Sequence, residues 1–177
     1  MYTTFGGIME ERGGISVRPL RMVEVPAYMA LRREIEKESK HVVGNGGRRE
    51  SLFLTLARMF VNRRHIFTFV ATDNGKLVGY LTLIFARLPK MKGNGYLGLS
   101  VKASHRNRGI GTILMEAAEK LARGRNVRRL ELEVFSKNRK AIDLYKRLGY
   151  VEEGRKKHAV ETQEGLDDMV FMAKLLR

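Results

Sequence analysis

One continuous stretch, YLGLSVKASHRNRGIGTILMEAAEKLA (96–122), constrains the fold most, because it joins an extended segment to a helix through a basic, glycine-containing loop. Its first residues alternate like a strand, and its last residues place apolar side chains at helical spacing. The N–H groups of a helix's first turn lack intrahelical acceptors, and the helix dipole adds partial positive charge there. Arg106 and Arg108 lie where positive charge is unfavourable. Either an anion binds there, or the stretch is a basic surface turn.

The loop has the features of a phosphate site. Helix N-termini bind phosphate through their free N–H groups, and arginines can add charge-assisted hydrogen bonds. Gly109 and Gly111 allow a ligand to approach the backbone and permit a positive φ, while Thr112 adds a hydroxyl. The spacing matches neither a P-loop nor the dinucleotide-binding fingerprint. On its own it leaves both interpretations open.

A second motif, FSKNRKAIDLYKRLGY (135–150), bears on this choice. It places Asn138, Ala141 and Tyr145 on one helix face, with the first and last about 10 Å apart along the axis. An extended arm containing amides could lie along this face, with Asn138 bonded to an amide. Alternatively, Asn138 is only an N-cap and Tyr145 packs in the core.

The order of periodic segments predicts one mixed α/β domain over 15–177, after a loose tail over 1–14. Helices interleave with strands in the second half, which favours a parallel strand pair joined by a right-handed crossover. A turn is predicted over 42–47, and Asp73–Gly75 is a hairpin signal. The predicted strands are 15–20, 65–72, 76–87, 96–101, 127–135 and 167–176, and the predicted helices are 22–40, 50–64, one ending near Gly124 and 138–150.

Composition narrows the classes of function. The chain has no Cys and only four His, none at HxH or HxxxH spacing, so we expect no disulfide and no metal site. We find neither a signal-peptide pattern nor a membrane span and expect a cytoplasmic protein. The net charge of +15 favours anionic partners, and 16 Lys and Arg against 7 Asp and Glu lie between Lys102 and Lys157. Nucleic acid is one such partner, but we do not expect it for this chain.

The segments SVKASHRNRGIGTILM and LELEVFSKNRKAIDLYKRLGYVEEGR together resemble the GNAT superfamily of acetyl-CoA-dependent N-acetyltransferases. The resemblance is clearest from Phe67 to Leu176 and rests on both motifs in this order. It implies an α/β fold: a mixed, mostly antiparallel twisted sheet with a splayed parallel strand pair and helices on both faces. The chain departs from the family pattern at Ala103, His105 and Asn107. Asn is the non-glycine residue that best tolerates a positive φ.

The resemblance implies acetyl-CoA as cosubstrate, no metal, and a direct attack by a primary amine of an amino acid, small amine or protein N-terminus. It assigns Tyr145 as both a catalytic proton donor and a cofactor-binding residue. The other implied cofactor-binding residues form the pyrophosphate loop and the groove for the pantetheine arm: Leu99, Ser100, Val101, Arg106, Asn107, Arg108, Gly109, Ile110, Gly111, Thr112, Asn138 and Ala141.

The acceptor side is less defined by the sequence. Glu131 and Glu133 alternate with leucines on one strand, so either could be the general base, or both could be surface residues. The acceptor is expected between the helices of 24–63 and the segment 152–168. The alternative function is a non-catalytic module that senses acyl-CoA or binds nucleic acid. A homodimer is possible.

Overall fold

The computed structural model describes residues 10–39, 51–162 and 164–176. Four α-helices lie in these ranges: α1 (Val25–Glu38), α2 (Leu52–Val61), α3 (Ile110–Gly124) and α4 (Arg139–Arg147). The strands of the same ranges are β1 (Glu10–Arg12), β2 (Ile15–Pro19), β3 (Ile66–Asp73), β4 (Lys76–Phe85), β5 (Asn94–Val101), β6 (Arg129–Phe135), β7 (Val151–Thr162) and β8 (Gly165–Leu175). No helix of the described part is long and apolar enough to cross a bilayer.

The strands form one sheet in the order β1-β2-β3-β4-β5-β6-β8-β7. Strands β5 and β6 pair in parallel, whereas the other neighbouring pairs of the sheet are antiparallel. A parallel pair needs a crossover connection, and α3 provides it. The predicted fold class, with its parallel strand pair, is therefore confirmed.

Helices cover both faces of the sheet, as predicted. In β4, Leu81 and Leu83 are fully buried in the core that also contains α3. Tyr80 points to the opposite face because side chains alternate along a strand. There its ring meets Tyr28 of α1 edge-on, with 5.3 Å between the ring centroids. Helices α1 and α3 thus lie on opposite faces, with the sheet between them.

The hairpin between β3 and β4 turns where its sequence predicts. Asn74 and Gly75 both have a positive φ, at 48° and 77°. Two-residue hairpin turns favour Asn-Gly, because the turn whose twist matches that of the strands needs a positive φ at both central residues. The turn brings Asp73 to the end of the sheet where α3 begins, beside Arg108.

Two strands were not predicted. The short strand β1 pairs with β2 inside the segment expected to be a tail; the rest of that segment, 1–9, lies outside the described residues. The long strand β7 pairs with β8 at the edge of the sheet, and most of its residues are exposed. Its sequence therefore lacks the alternation by which strands are found. The turn predicted over 42–47 also lies outside the described residues.

Helix α2 forms where predicted, but the described contacts do not bury its apolar face. Phe53, Phe60 and Val61 are exposed, and no residue of the helix is buried. The periodic pattern correctly predicted a helix here, whereas burial depends on which elements pack against it.

Candidate active site

The site is a cleft where the two parallel strands separate. Strands β5 and β6 pair only from Asn94–Arg129 to Tyr96–Glu131. Beyond that point they diverge, and a cavity of about 400 Å³ opens between them. Four predicted site residues line it: Leu99, Ser100, Asn138 and Tyr145. The expected splayed pair is thus present, and predicted residues from β5 and from α4 with its N-cap meet at it.

The cavity is lined from both faces of the sheet. Strand register places Tyr80, Thr82 and Tyr96 on the face covered by α1, while Leu97 and Leu99 point towards the core beneath α3. All five residues line the cavity. Two reactants can therefore approach one another through the sheet, each from its own face.

The loop before α3 presents a row of free backbone donors. In the part of the chain that the structure describes, no protein acceptor pairs with the backbone N–H groups of the six residues from Asn107 to Thr112. The pattern of helical bonds begins with Ile113, which donates to the carbonyl of Gly109. Free N–H groups at a helix N-terminus suit phosphate oxygens. The local geometry thus agrees with an anion site.

The two glycines of the loop have different roles. Gly109 is the N-cap of α3 and has φ +76°, a conformation that strains other L-residues. Gly111 lies inside the helix, where an added Cβ would come within 2.9 Å of the Leu144 side chain. The missing side chain of Gly111 therefore lets α3 approach α4, while its backbone N–H has no partner among the described residues.

The two arginines of the loop contact the protein itself. Arg108 donates to Asp73 at the β3–β4 turn, with 2.7 Å between Nη1 and Oδ2. Arg106 donates through Nε to the carbonyl of Val101 at 3.1 Å. That carbonyl therefore already has a partner, and Val101 does not line the cavity. The arginines add positive potential beside the loop, while the free hydrogen-bond donors are mainly backbone groups.

Helix α4 carries the polar side chains of the cleft's core side. Asn138 is its N-cap, and its Oδ1 accepts a 3.4 Å bond from the N–H of Ala141. Within the described chain its Nδ2 has no acceptor, and the residue lines the cavity. The cap and a cavity-facing donor thus coexist in one side chain. Ala141 packs against the core outside the cavity lining.

Tyr145 is 6% exposed and packs its ring near Tyr150, at 6.1 Å between centroids. It thus has the core position of the second interpretation, yet it also lines the cavity. Its hydroxyl makes no hydrogen bond within the described residues. Unlike the hydroxyl of Tyr150, which is fully buried without a partner among these residues, it is still accessible. Burial, followed by the nearby Tyr96, raises the pKa of Tyr145 well above its usual value. The phenol is therefore a protonated donor throughout the physiological pH range.

The structure separates the two candidate bases. Glu131 and Glu133 of β6 lie on the same face of the sheet as Tyr96 of β5, but only Glu133 lines the cavity. Glu131 instead pairs with Arg129 at 3.2 Å. Lys156 of β7 lies 3.6 Å from Glu133. Burial and then the two carboxylates raise the pKa of Tyr96.

Sequence reasoning missed Tyr80, Thr82 and Tyr96 as cavity residues. Their alternation within predicted strands gave their face, but nothing local indicated that this face borders a cleft. No group of three His, Asp or Glu residues that could hold a metal occurs in the described ranges.

Helix α1 contacts the start of the loop that precedes α3. Glu38 accepts a 3.0 Å bond from the N–H of Ala103, and Glu34 forms a 2.5 Å ion pair with Lys102. The same helix touches Tyr80 at the cavity through Tyr28. One rigid element thus borders both the loop and the opposite face of the sheet.

Comparisons with known proteins find relatives in sequence and in structure. L-amino acid N-acetyltransferase AaaT of Escherichia coli is 35% identical over 108 residues, which is 60% of this chain and 66% of that protein. The match thus spans just under two thirds of that relative. A GNAT-family acetyltransferase structure from Streptococcus pneumoniae has a TM-score of 0.82 at 24% identity, covering 92% of this chain and 99% of that one.

A second solved structure has the same fold. YncA of Salmonella typhimurium, solved with its cofactor acetyl-CoA, has a TM-score of 0.82 at 16% identity and covers 93% of this chain and 95% of its own. The profile of the acetyltransferase (GNAT) family matches residues 30–150, more than half of the sequence. The two sequence motifs, the splayed strands and this match agree, and the chain belongs to the acetyltransferase (GNAT) family.

Proposed function

We propose that this protein transfers the acetyl group of acetyl-CoA to an α-amino group, as an N-acetyltransferase. The observation that carries the proposal is the cavity between β5 and β6, which has a phenol donor on its core side and a carboxylate on its opposite face. An acetyl donor and an amine can meet there from opposite faces. The name of the E. coli relative supports an α-amine as acceptor, which a free amino acid and a peptide N-terminus share.

The loop and the first turn of α3 hold the diphosphate of acetyl-CoA in this proposal. Six free N–H groups, from Asn107 to Thr112, and the positive end of the helix dipole face the anion. Arg106 and Arg108 contribute charge from beside the loop. The pantetheine arm lies along the open edge of β5 at Leu99 and Ser100, and Asn138 donates from Nδ2 to one of its amides.

Acetyl-CoA supplies an activated acetyl group as a thioester. An amine is mostly protonated at neutral pH, so the site must first remove a proton. Glu133 is the carboxylate that lines the cavity and is the proton acceptor, directly or through a water molecule. The amine nitrogen then bonds to the acetyl carbon, and strand N–H groups near Leu99 polarise the carbonyl.

As the carbon–sulfur bond breaks, negative charge collects on sulfur beside Tyr145. The raised pKa of Tyr145 exceeds that of a typical thiol, about 8.5. Full proton transfer from the phenol to sulfur is therefore uphill. The chief role of Tyr145 is thus to stabilise the departing thiolate by a hydrogen bond. Glu133 passes the proton removed before the attack to solvent, and the second proton, which the nitrogen loses as the amide forms, passes through water to the thiolate, so that CoA leaves as the thiol.

The test is release of CoA from acetyl-CoA by the purified protein across matched acceptors: L-amino acids, their amides, short peptides, polyamines and aminoglycosides. We expect turnover with one α-amine class, and about 10- to 100-fold lower kcat in the Tyr145→Phe variant, with acetyl-CoA affinity nearly unchanged. Equal losses of binding and turnover would indicate that Tyr145 is only a packing residue. No CoA release with any acceptor, together with tight nucleic-acid binding, would favour the non-catalytic alternative. Cytoplasmic location and a homodimer stay predictions.

A further inference from the structure

A buried carboxylate lies behind the cleft, outside the catalytic groups described above. Asp167 of β8 is 2% exposed. Its Oδ1 accepts from the Ser136 hydroxyl at 2.6 Å and from the N–H of Asp168 at 2.8 Å, and its Oδ2 accepts from the N–H of Lys137 at 3.4 Å. A buried charge is costly unless donors surround it. Burial acts to raise the pKa of Asp167, but these donors outweigh it and hold the pKa below its usual value.

Two of the three donors, from Ser136 and Lys137, belong to the short loop that joins β6 to α4. Two more bonds attach this loop to β8: Ser136 N–H donates to the Asp168 carbonyl at 2.9 Å, and Lys137 Nζ donates to the Leu166 carbonyl at 3.3 Å. The next residue is Asn138, whose own N–H bonds to the Phe135 carbonyl at 2.9 Å. The loop is therefore clamped on both sides immediately before the N-cap of α4.

We infer that Asp167 is a positioning residue that fixes the Ser136–Lys137 loop and thereby directs the amide of Asn138 into the cavity. It does not touch the cofactor. A donor that is already in place costs little ordering entropy on binding, so Asp167 strengthens acetyl-CoA binding through Asn138. The inference rests on the proposed role of Asn138 towards the cofactor.

The experiment is a double-mutant cycle on acetyl-CoA affinity, measured by calorimetry without an acceptor. We expect Asp167→Ala and Asn138→Ala each to weaken binding about 10-fold. The double variant should be about as weak as Asn138→Ala alone, since residues that act through one another are not additive. Multiplied effects, or wild-type affinity in Asp167→Ala, would overturn the inference.

Two variants guard against a merely structural effect. Ser136→Ala removes the 2.6 Å bond to Asp167 but keeps the carboxylate. We expect this variant to bind acetyl-CoA about 3-fold more weakly and to keep a melting temperature near that of the wild type. Asp168→Asn is the matched control, because this neighbouring side chain accepts instead from the N–H of His158 at 2.9 Å. It should bind acetyl-CoA like the wild type. If Ser136→Ala binds normally, or if Asp168→Asn weakens binding as much, Asp167 does not act through the loop.

A readout without ligand separates this inference from the proposed function. In the unliganded protein, the NMR signals of the Asn138 side-chain amide should shift in Asp167→Ala and stay in place in Asp168→Asn. If the signals shift while wild-type affinity persists in Asn138→Ala, the cofactor role of Asn138 is wrong and the inference falls with it. If the signals do not shift, Asp167 does not position Asn138, whatever the fate of the proposed function.

Discussion

The two sides of the cleft are built differently. The proposed cofactor side uses backbone groups from one run of sequence, with N–H groups from Asn107 to Thr112 at the start of α3. The proposed acceptor side uses side chains from three strands, with Tyr80, Tyr96 and Glu133 meeting only in the folded sheet. A backbone site depends on the conformation of the loop, whereas a side-chain site depends on residue identity. Substitutions on the two sides should therefore fail in different ways.

The largest effect is expected from Gly109→Glu, which changes only the proposed cofactor side. The position has φ +76°, so any side chain strains the cap, and a carboxylate repels phosphate. We expect at least about 100-fold weaker acetyl-CoA binding by calorimetry. Gly14→Glu is the matched control, because Gly14 also has a positive φ, at 78°, and open space around it but lies in the β1–β2 turn. Unchanged affinity in Gly109→Glu would refute the diphosphate site.

A smaller effect, confined to turnover, is expected on the acceptor side. Glu133→Gln removes the proposed base and should lower kcat about 100-fold near neutral pH, leaving acetyl-CoA affinity unchanged. Rates should recover partly at higher pH, where more of the amine is already neutral. Glu131→Gln is the control, since its carboxylate pairs with Arg129 outside the cavity. Equal kcat losses in both variants would argue for a general charge effect instead of a base.

The smallest effect is expected from a change of charge beside the proposed diphosphate loop. The carboxylate of Asp73 lies 2.7 Å from Arg108 and partly cancels its charge beside the loop. In Asp73→Asn the amide oxygen can still accept the hydrogen bond, so mainly the negative charge is lost. We expect acetyl-CoA to bind about twofold more tightly at low salt, with the gain vanishing at high salt. Weaker binding at all salt concentrations would mean that the charge of Asp73 is needed to hold Arg108.

Local patterns predicted the local structure around the proposed cofactor side. The Arg106–Thr112 loop, the Asn138 cap and the Asp73–Gly75 turn depend on residues close in sequence, and each forms where expected. The family and the fold class inferred from these motifs are confirmed. The packing of Gly111 against the Leu144 side chain was not predicted, because it depends on a residue of another helix.

Strand β7 shows where local patterns stop. Half of its twelve residues are charged and most are exposed, and backbone bonds to β8 hold it in the sheet without a buried stripe of side chains. A sequence reveals strands through alternating burial, so an edge strand exposed on both faces leaves no signal. The same strand brings Lys156 to Glu133 across the sheet.

By itself the sequence determined the elements whose information is local: the helix N-terminus with its free donors, the helix that carries Asn138 and Tyr145, and the strands around them. Only the tertiary structure decided which glutamate borders the cavity, that Arg108 is paired with Asp73, and that Asp167 supports the loop before Asn138. These contacts join residues about 30 positions apart or depend on where two strands separate. Spacing along the chain carries no record of such distances, because sheet register and packing set them only once the chain has folded.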